Sequence, residues 1–129
     1  MRKSYLFLLV LLLLSACADS SPLTANEVGG TIAGRPDQWK GRSLYVYAAY
    51  FYGEADSGYF VLEPDLYPHA QVSRRGDFRL SQMPDERYIL LAGPSPDEAL
   101  RLMGAGGHYL MLRPDAERGI DLGEVFVEE

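Results

Sequence analysis

Ser43 to Tyr52 reads SLYVYAAYFY, and this stretch decides the fold. In an extended chain Leu44, Val46, Ala48 and Tyr50 fall on one side, and Tyr45, Tyr47, Ala49 and Phe51 on the other. A period of two in so aromatic a run predicts a strand, the longest in the chain. Upstream, Val28 to Ile32 carries apolar residues at even positions until Gly34-Arg35-Pro36-Asp37 breaks the pattern. Downstream, Tyr59 to Glu63, Ala70 to Ser73, Asp77 to Ser81 and Tyr88 to Ala92 are short runs punctuated by Pro64, Pro68, Gly76 and Pro84. His108 to Arg113 and Ile120 to Val127 return to strand pattern, with Gly123 shifting the register as a bulge does. Regular strands with turn signals between them predict an all-β, seven- or eight-stranded antiparallel sandwich. Val28, Ile32, Val46, Phe78, Leu80, Tyr88, Leu90, Leu122 and Val125 are its expected core. One short helix interrupts the series at 96–103: Ser95 caps it, Pro96 suits its first position, Glu98 completes a capping box and Gly104 stops it.

The N-terminus follows other rules. Arg2 and Lys3 precede ten apolar residues, Tyr5 to Leu14, and then come Ser15, Ala16 and Cys17. Ten residues fall well short of the ~20 that a helix needs to cross a bilayer. Small residues directly before a Cys fit a signal peptidase followed by lipidation. The stretch resembles the lipobox of bacterial lipoproteins, which implies that residues 1–16 are a signal peptide and that Cys17 becomes the acylated first residue of the mature chain. Acylation on both sulfur and amino group gives the second chain that stable anchoring requires. Residues 17–26 read as the lipidated Cys and a polar tether, and 27–129 as the β domain. Ala18 stands where the resemblance places a sorting signal, and the acid that would retain the protein at the inner membrane is missing there. The implied address is the cell envelope, at an outer membrane and facing the periplasm or the surface. Cys17 is also the chain's single cysteine, so it has no intrachain disulfide partner.

Gly76-Asp77-Phe78-Arg79-Leu80, followed by Met83-Pro84-Asp85-Glu86-Arg87-Tyr88-Ile89-Leu90-Leu91-Ala92-Gly93, resembles the pattern of carboxypeptidase regulatory-like domains, also called transthyretin-like or prealbumin-like. Val28 to Gly34 and Ile120 to Val125 resemble the first and last strands of that pattern. The likeness runs over about residues 27 to 128 and implies an Ig-like or prealbumin-like sandwich. One departure is local: the usual Pro-x-Gly before the Tyr is Pro84-Asp85-Glu86-Arg87 here, so Asp85 is expected to supply the positive φ.

Charge and motif content narrow the function. Without residues 1–16 the chain keeps ten cations against eighteen acids, so its net charge moves from −6 to −8. That balance argues against nucleic acid and against anionic headgroups as partners. His69 and His108 are the two histidines and form no HxxE or HExxH pair. Transthyretin-like hydrolases end in Tyr-Arg-Gly-Ser, whereas this chain ends Phe126-Val127-Glu128-Glu129. Gly41-Arg42-Ser43-Leu44-Tyr45 fails as a nucleophile elbow, and Gly104-Ala105-Gly106-Gly107 lacks the Lys and Ser or Thr of a phosphate loop. The carboxylates Glu54, Asp56, Glu63 and Asp65 match no calcium loop and read as a solvated surface. Arg75-Gly76-Asp77 spells the integrin-binding tripeptide, but a hairpin turn accounts for its Gly. The expectation is therefore no enzyme, no cofactor and no metal.

Eight aromatics lie between Tyr45 and Tyr67. If Leu44, Val46, Ala48 and Tyr50 face the core of a half-solvated sheet, Tyr45, Tyr47 and Phe51 form an outward row. Such a row can anchor another envelope protein or stack a carbohydrate. A non-enzymatic docking or structural module is the leading expectation and a carbohydrate-binding module the alternative, with membrane attachment through lipid on Cys17 in either case.

Overall fold

A computed structural model describes residues 22–54, 57–63, 65, 68–83, 86–113 and 117–128. Residues 1–16, Cys17 and the turn at Asp85 lie outside them. The described chain is mostly β. Its strands are β1 (Val28–Ile32), β2 (Tyr45–Tyr52), β3 (Tyr59–Val61), β4 (His69–Gln71), β5 (Asp77–Leu80), β6 (Tyr88–Gly93), β7 (Leu100–Met103) and β8 (Ile120–Val127). They form one curled sheet in the order β3-β2-β6-β7-β8-β1-β5, with β4 pairing β2 beside β3.

The sheet is mixed, not purely antiparallel. β1 runs antiparallel to β5 but parallel to β8, with Val28 opposite Ile120 and Ile32 opposite Val125. First and last strands become neighbours here without a hairpin between them, so local turn chemistry could not announce the direction. The β1–β8 register slips between Gly29 and Thr31. Opposite this slip Gly123 has φ 65° and donates its N–H to Asp121 Oδ1 at 3.0 Å. This is the bulge its glycine foretold.

A second correction concerns residues 96–103. Only Pro96–Glu98 turns, as a single 3-10 turn after an extended Ser95. Ala99 is already extended, and Leu100–Met103 is the strand β7. Ser95 Oγ donates to Glu98 Oε2 at 3.1 Å instead of capping a helix. Ala-Leu-Arg-Leu-Met suits a helix in isolation, but Leu100 and Leu102 also alternate, and pairing with β6 (Leu91↔Arg101, Ala92↔Leu100) seals the core edge. The run expected at His108–Arg113 makes only isolated bridges, Tyr109 with Met103 and Leu112 with Tyr88. Just before the turn at Asp85, Gln82 has a positive φ of 55°.

Inside the curl lie Val28, Ile32, Val46, Phe78, Leu80, Tyr88, Leu90 and Val125, all buried, while Leu122 packs against them half-buried. Trp39, on a 3-10 turn at Asp37–Trp39, fills the same core at 1% exposure. Leu23, within the stretch read as tether, lies over Gly29, where an added Cβ would meet its side chain at 3.1 Å.

Tyr88 has no exposed surface, and its hydroxyl finds no hydrogen-bond partner among the described residues. Burial pushes the phenol up to about 12 from 10. A buried unpaired hydroxyl costs about 1–3 kcal/mol, so Tyr88→Phe should raise stability by about 1 kcal/mol or more at neutral pH in urea titrations. The pH dependence has a definite sign. Below pH 10 the phenol is protonated in both states; between 10 and 12 it ionises only in the unfolded chain, so stability falls there by about 1.4 kcal/mol per pH unit. Tyr88→Phe should flatten that alkaline fall, whereas a variant less stable than the parent would mean that the hydroxyl is bonded.

Candidate functional site

The aromatic row on β2 is mostly covered. Tyr47 and Phe51 are 5% and 4% exposed, and Tyr45 is half-buried. Tyr45, Tyr47 and Phe51 therefore do not form the expected outward platform. The cause is that β2 and β6 bury both of their faces in mid-strand. Ala49, Phe51, Ile89 and Leu91 form a second apolar cluster on the outer face, covered by Leu62, Ala99 and Met111. β6 is buried at every position. Its Tyr-Ile-Leu-Leu-Ala run has no polar alternation, the sequence sign of a strand covered on both sides.

The cover is held by a few specific contacts. His69 stacks on Tyr47 with ring centroids 5.9 Å apart, and Tyr45 lies tilted beside Tyr47 at 6.3 Å. Burial, then the neighbouring Tyr45, raises the pKa of the Tyr47 phenol. At Gly58 an added Cβ would overlap the Phe51 ring and the Tyr52 carbonyl, so glycine lets the loop close over Phe51. The Arg101 guanidinium sits between two rings, 4.7 Å from the centroid of Phe51 and 4.4 Å from that of Tyr109. It also donates to the Leu110 carbonyl at 3.3 Å, and Tyr109 donates to Glu128 Oε1 at 2.6 Å. Desolvation lowers the Arg101 pKa from its ordinary value. This arginine thus adds to the backbone bridges of Tyr109 and Leu112 in tying the segment 108–112 to the sheet.

The aromatic area that stays open lies elsewhere. Tyr52 and Tyr59, opposite each other across β2 and β3, stack at 5.3 Å and are 40% and 66% exposed. Phe60, next along β3, is 45% exposed. It borders a cleft of about 370 Å³ with Phe51, Arg101, Tyr109 and Glu128. β3 ends the sheet and pairs only with β2 among the described residues. The signal for this patch was in the sequence: Tyr52 and Tyr59 flank the turn-rich segment around Gly53 and Gly58, where a short hairpin sets them face to face. Among the described residues no group of three or more His, Cys, Asp or Glu could hold a metal ion.

No family model matches the chain, and no curated protein or solved structure does.

Arg101→Ala should remove two ring contacts together with the apolar stem that covers Phe51. Each cation–π contact is worth about 0.5–2 kcal/mol by its degree of desolvation. The expected loss is about 1–3 kcal/mol in urea titrations, with faster amide exchange in 108–112. Unchanged exchange in that segment would mean that Arg101 does not hold it.

Proposed function

We propose that the chain is a lipid-anchored envelope protein, sited at an outer membrane, that works by docking on another envelope protein and performs no chemistry of its own. The observation that carries this reading is the open edge of β3. Among the described residues its outer edge has no ladder partner, which suits an extended partner segment, and the stacked Tyr52 and Tyr59 with Phe60 offer the apolar area that side chains of that segment would cover. Leu14-Ser15-Ala16-Cys17 supports the anchor. β4 and β5 lie against each other where the sheet curls, and this supports a two-layer, prealbumin-like arrangement of the strands. The carbohydrate alternative has lost the row it depended on, since Tyr47 and Phe51 are buried.

The test is a photo-crosslinking residue placed at Tyr59, with one at buried Tyr47 as control, in cells making the whole chain. A discrete protein adduct from position 59 in the membrane fraction and none from position 47 is expected. Cys17→Ala should abolish acyl labelling and release the protein from membranes. Adducts from neither position would remove the docking reading, and continued acylation of the Cys17 variant would remove the anchor. Binding to a glycan array that is lost in Tyr59→Ala would assign the patch to sugar instead.

A further inference from the structure

On a domain this acidic, the arginines at one end of the sheet are unevenly placed. Arg74 and Arg75 stand in the turn between β4 and β5, and Arg35 follows β1; the three line one small cleft of about 180 Å³ together with Gly34 and Gly76, and no acid lines it. Among the described residues none of the three is paired with a carboxylate, whereas Lys40 is paired with Asp37 and Arg42 with Glu98. The cleft is held in place by backbone. Gly76 has φ 93°, its carbonyl accepts the Ile32 N–H at 2.8 Å, and an added Cβ would approach the Ile32 carbonyl oxygen to 2.6 Å. The turn is therefore pinned to the end of β1, which sets Arg74 and Arg75 beside Arg35. Arg35 in turn donates to the Arg42 carbonyl at 3.2 Å, while Arg42 is occupied by Glu98 through two bonds of 2.9 and 3.0 Å.

Arg74 and Arg75 also border a wider groove with Arg79, which Pro22 and Leu23 line as well. The two acids of that groove are engaged with their own surroundings: Asp77 Oδ1 accepts the Thr31 hydroxyl at 2.6 Å, and Asp121 Oδ1 accepts the Gly123 N–H. Only four residues, Ala18 to Ser21, separate Cys17 from Pro22, a reach of at most about 18 Å when extended. We propose that Arg35, Arg74 and Arg75 form a cleft for the phosphate of an anionic lipid headgroup, turned toward the membrane by the short link from Cys17. The inference rests on the anchoring read for Cys17.

The net charge of −8 that remains without residues 1–16 argues against anionic headgroups for the surface as a whole, but two effects spare this cleft. Acids beyond a Debye length of about 8 Å are screened from the cleft at physiological salt. A tether this short holds cleft and headgroup at an effective concentration on the order of millimolar, so a weak site is filled without long-range attraction. Guanidinium groups match phosphate oxygens in pairs, which a lysine cluster does not.

The acylated chain beginning at Cys17 is added to vesicles of phosphatidylcholine alone or mixed with phosphatidylglycerol, and arginine modification by phenylglyoxal is followed by mass spectrometry. Arg113 is the internal control: it follows Leu112, which pairs with Tyr88 at the far end of the β2–β6 ladder from Leu44. Modification of Arg35, Arg74 and Arg75 should slow several-fold on the phosphatidylglycerol vesicles, unlike that of Arg113, and raised salt should restore it. Equal rates on both vesicles, with the protein floating on both, would overturn the cleft and leave the anchor standing. A chain that floats with neither vesicle would overturn the anchor and this proposal with it. Slowing by inorganic phosphate on neutral vesicles, with none by phosphatidylglycerol, would overturn the lipid as the source of the phosphate.

Discussion

The antiparallel ladder between β2 and β6 is the element on which everything else leans. It pairs six positions, from Tyr45↔Gly93 to Tyr50↔Tyr88, and its middle is sealed on both faces. Val46, Ala48 and Leu90 face the inside of the curl, and Ala49, Ile89 and Leu91 the outside, each at 1% exposure or less. Two alanines at the centre of β2 make this double burial feasible, because small side chains let the layers on either side approach closely. A ladder sealed in this way loses no hydrogen bonds to water, and its backbone is the least able to open locally. The other strands hang from it. β3 and β4 share one edge of β2, β7 takes the free edge of β6, and β8 carries β1 and β5 around the curl.

Much of this was legible where a residue's local chemistry and its tertiary role agree. Val28–Ile32 and Ile120–Val127 have the bounds their alternation indicates, and the glycine at 123 marked the bulge. Legibility failed where a long-range partner overrode a local preference. Leu100–Met103 carries good helix formers, but its alternating leucines were needed to close the edge of β6. Direction failed similarly, since only closure of the sheet brings β1 parallel to β8. An outward aromatic row requires one face of the long strand to be solvated, and β2 is buried on both in mid-strand. The unbroken apolar run from Tyr88 to Ala92 already contradicts that requirement, because a strand covered on both sides cannot leave its neighbour half bare. The open patch at Tyr52, Tyr59 and Phe60 and the arginine cleft were hidden for another reason. Both depend on which turns the fold brings side by side.

Under the proposed function, the two ends of the molecule divide its work. The segment from Leu23 onward packs over β1, so a chain anchored at Cys17 would leave the membrane close to the arginine-lined end. The stacked tyrosines belong to the other end of β2, where Tyr52 closes the ladder with β3. Under the proposed anchoring, one end meets the lipid and the other is held out toward a partner. The acids distributed elsewhere keep the rest of the surface soluble and poorly adhesive.

Residue-resolved amide hydrogen exchange on the folded chain tests the central ladder most directly. The amides of Tyr47, Ala49, Ile89 and Leu91, opposed in the ladder, should exchange only through global unfolding, with their free energies of exchange matching that from denaturant titration. Those of Phe60 and Val61 in β3 should exchange through local opening at far lower cost. Exchange of Ala49 and Leu91 at the rate of β3 would contradict a ladder buried on both faces.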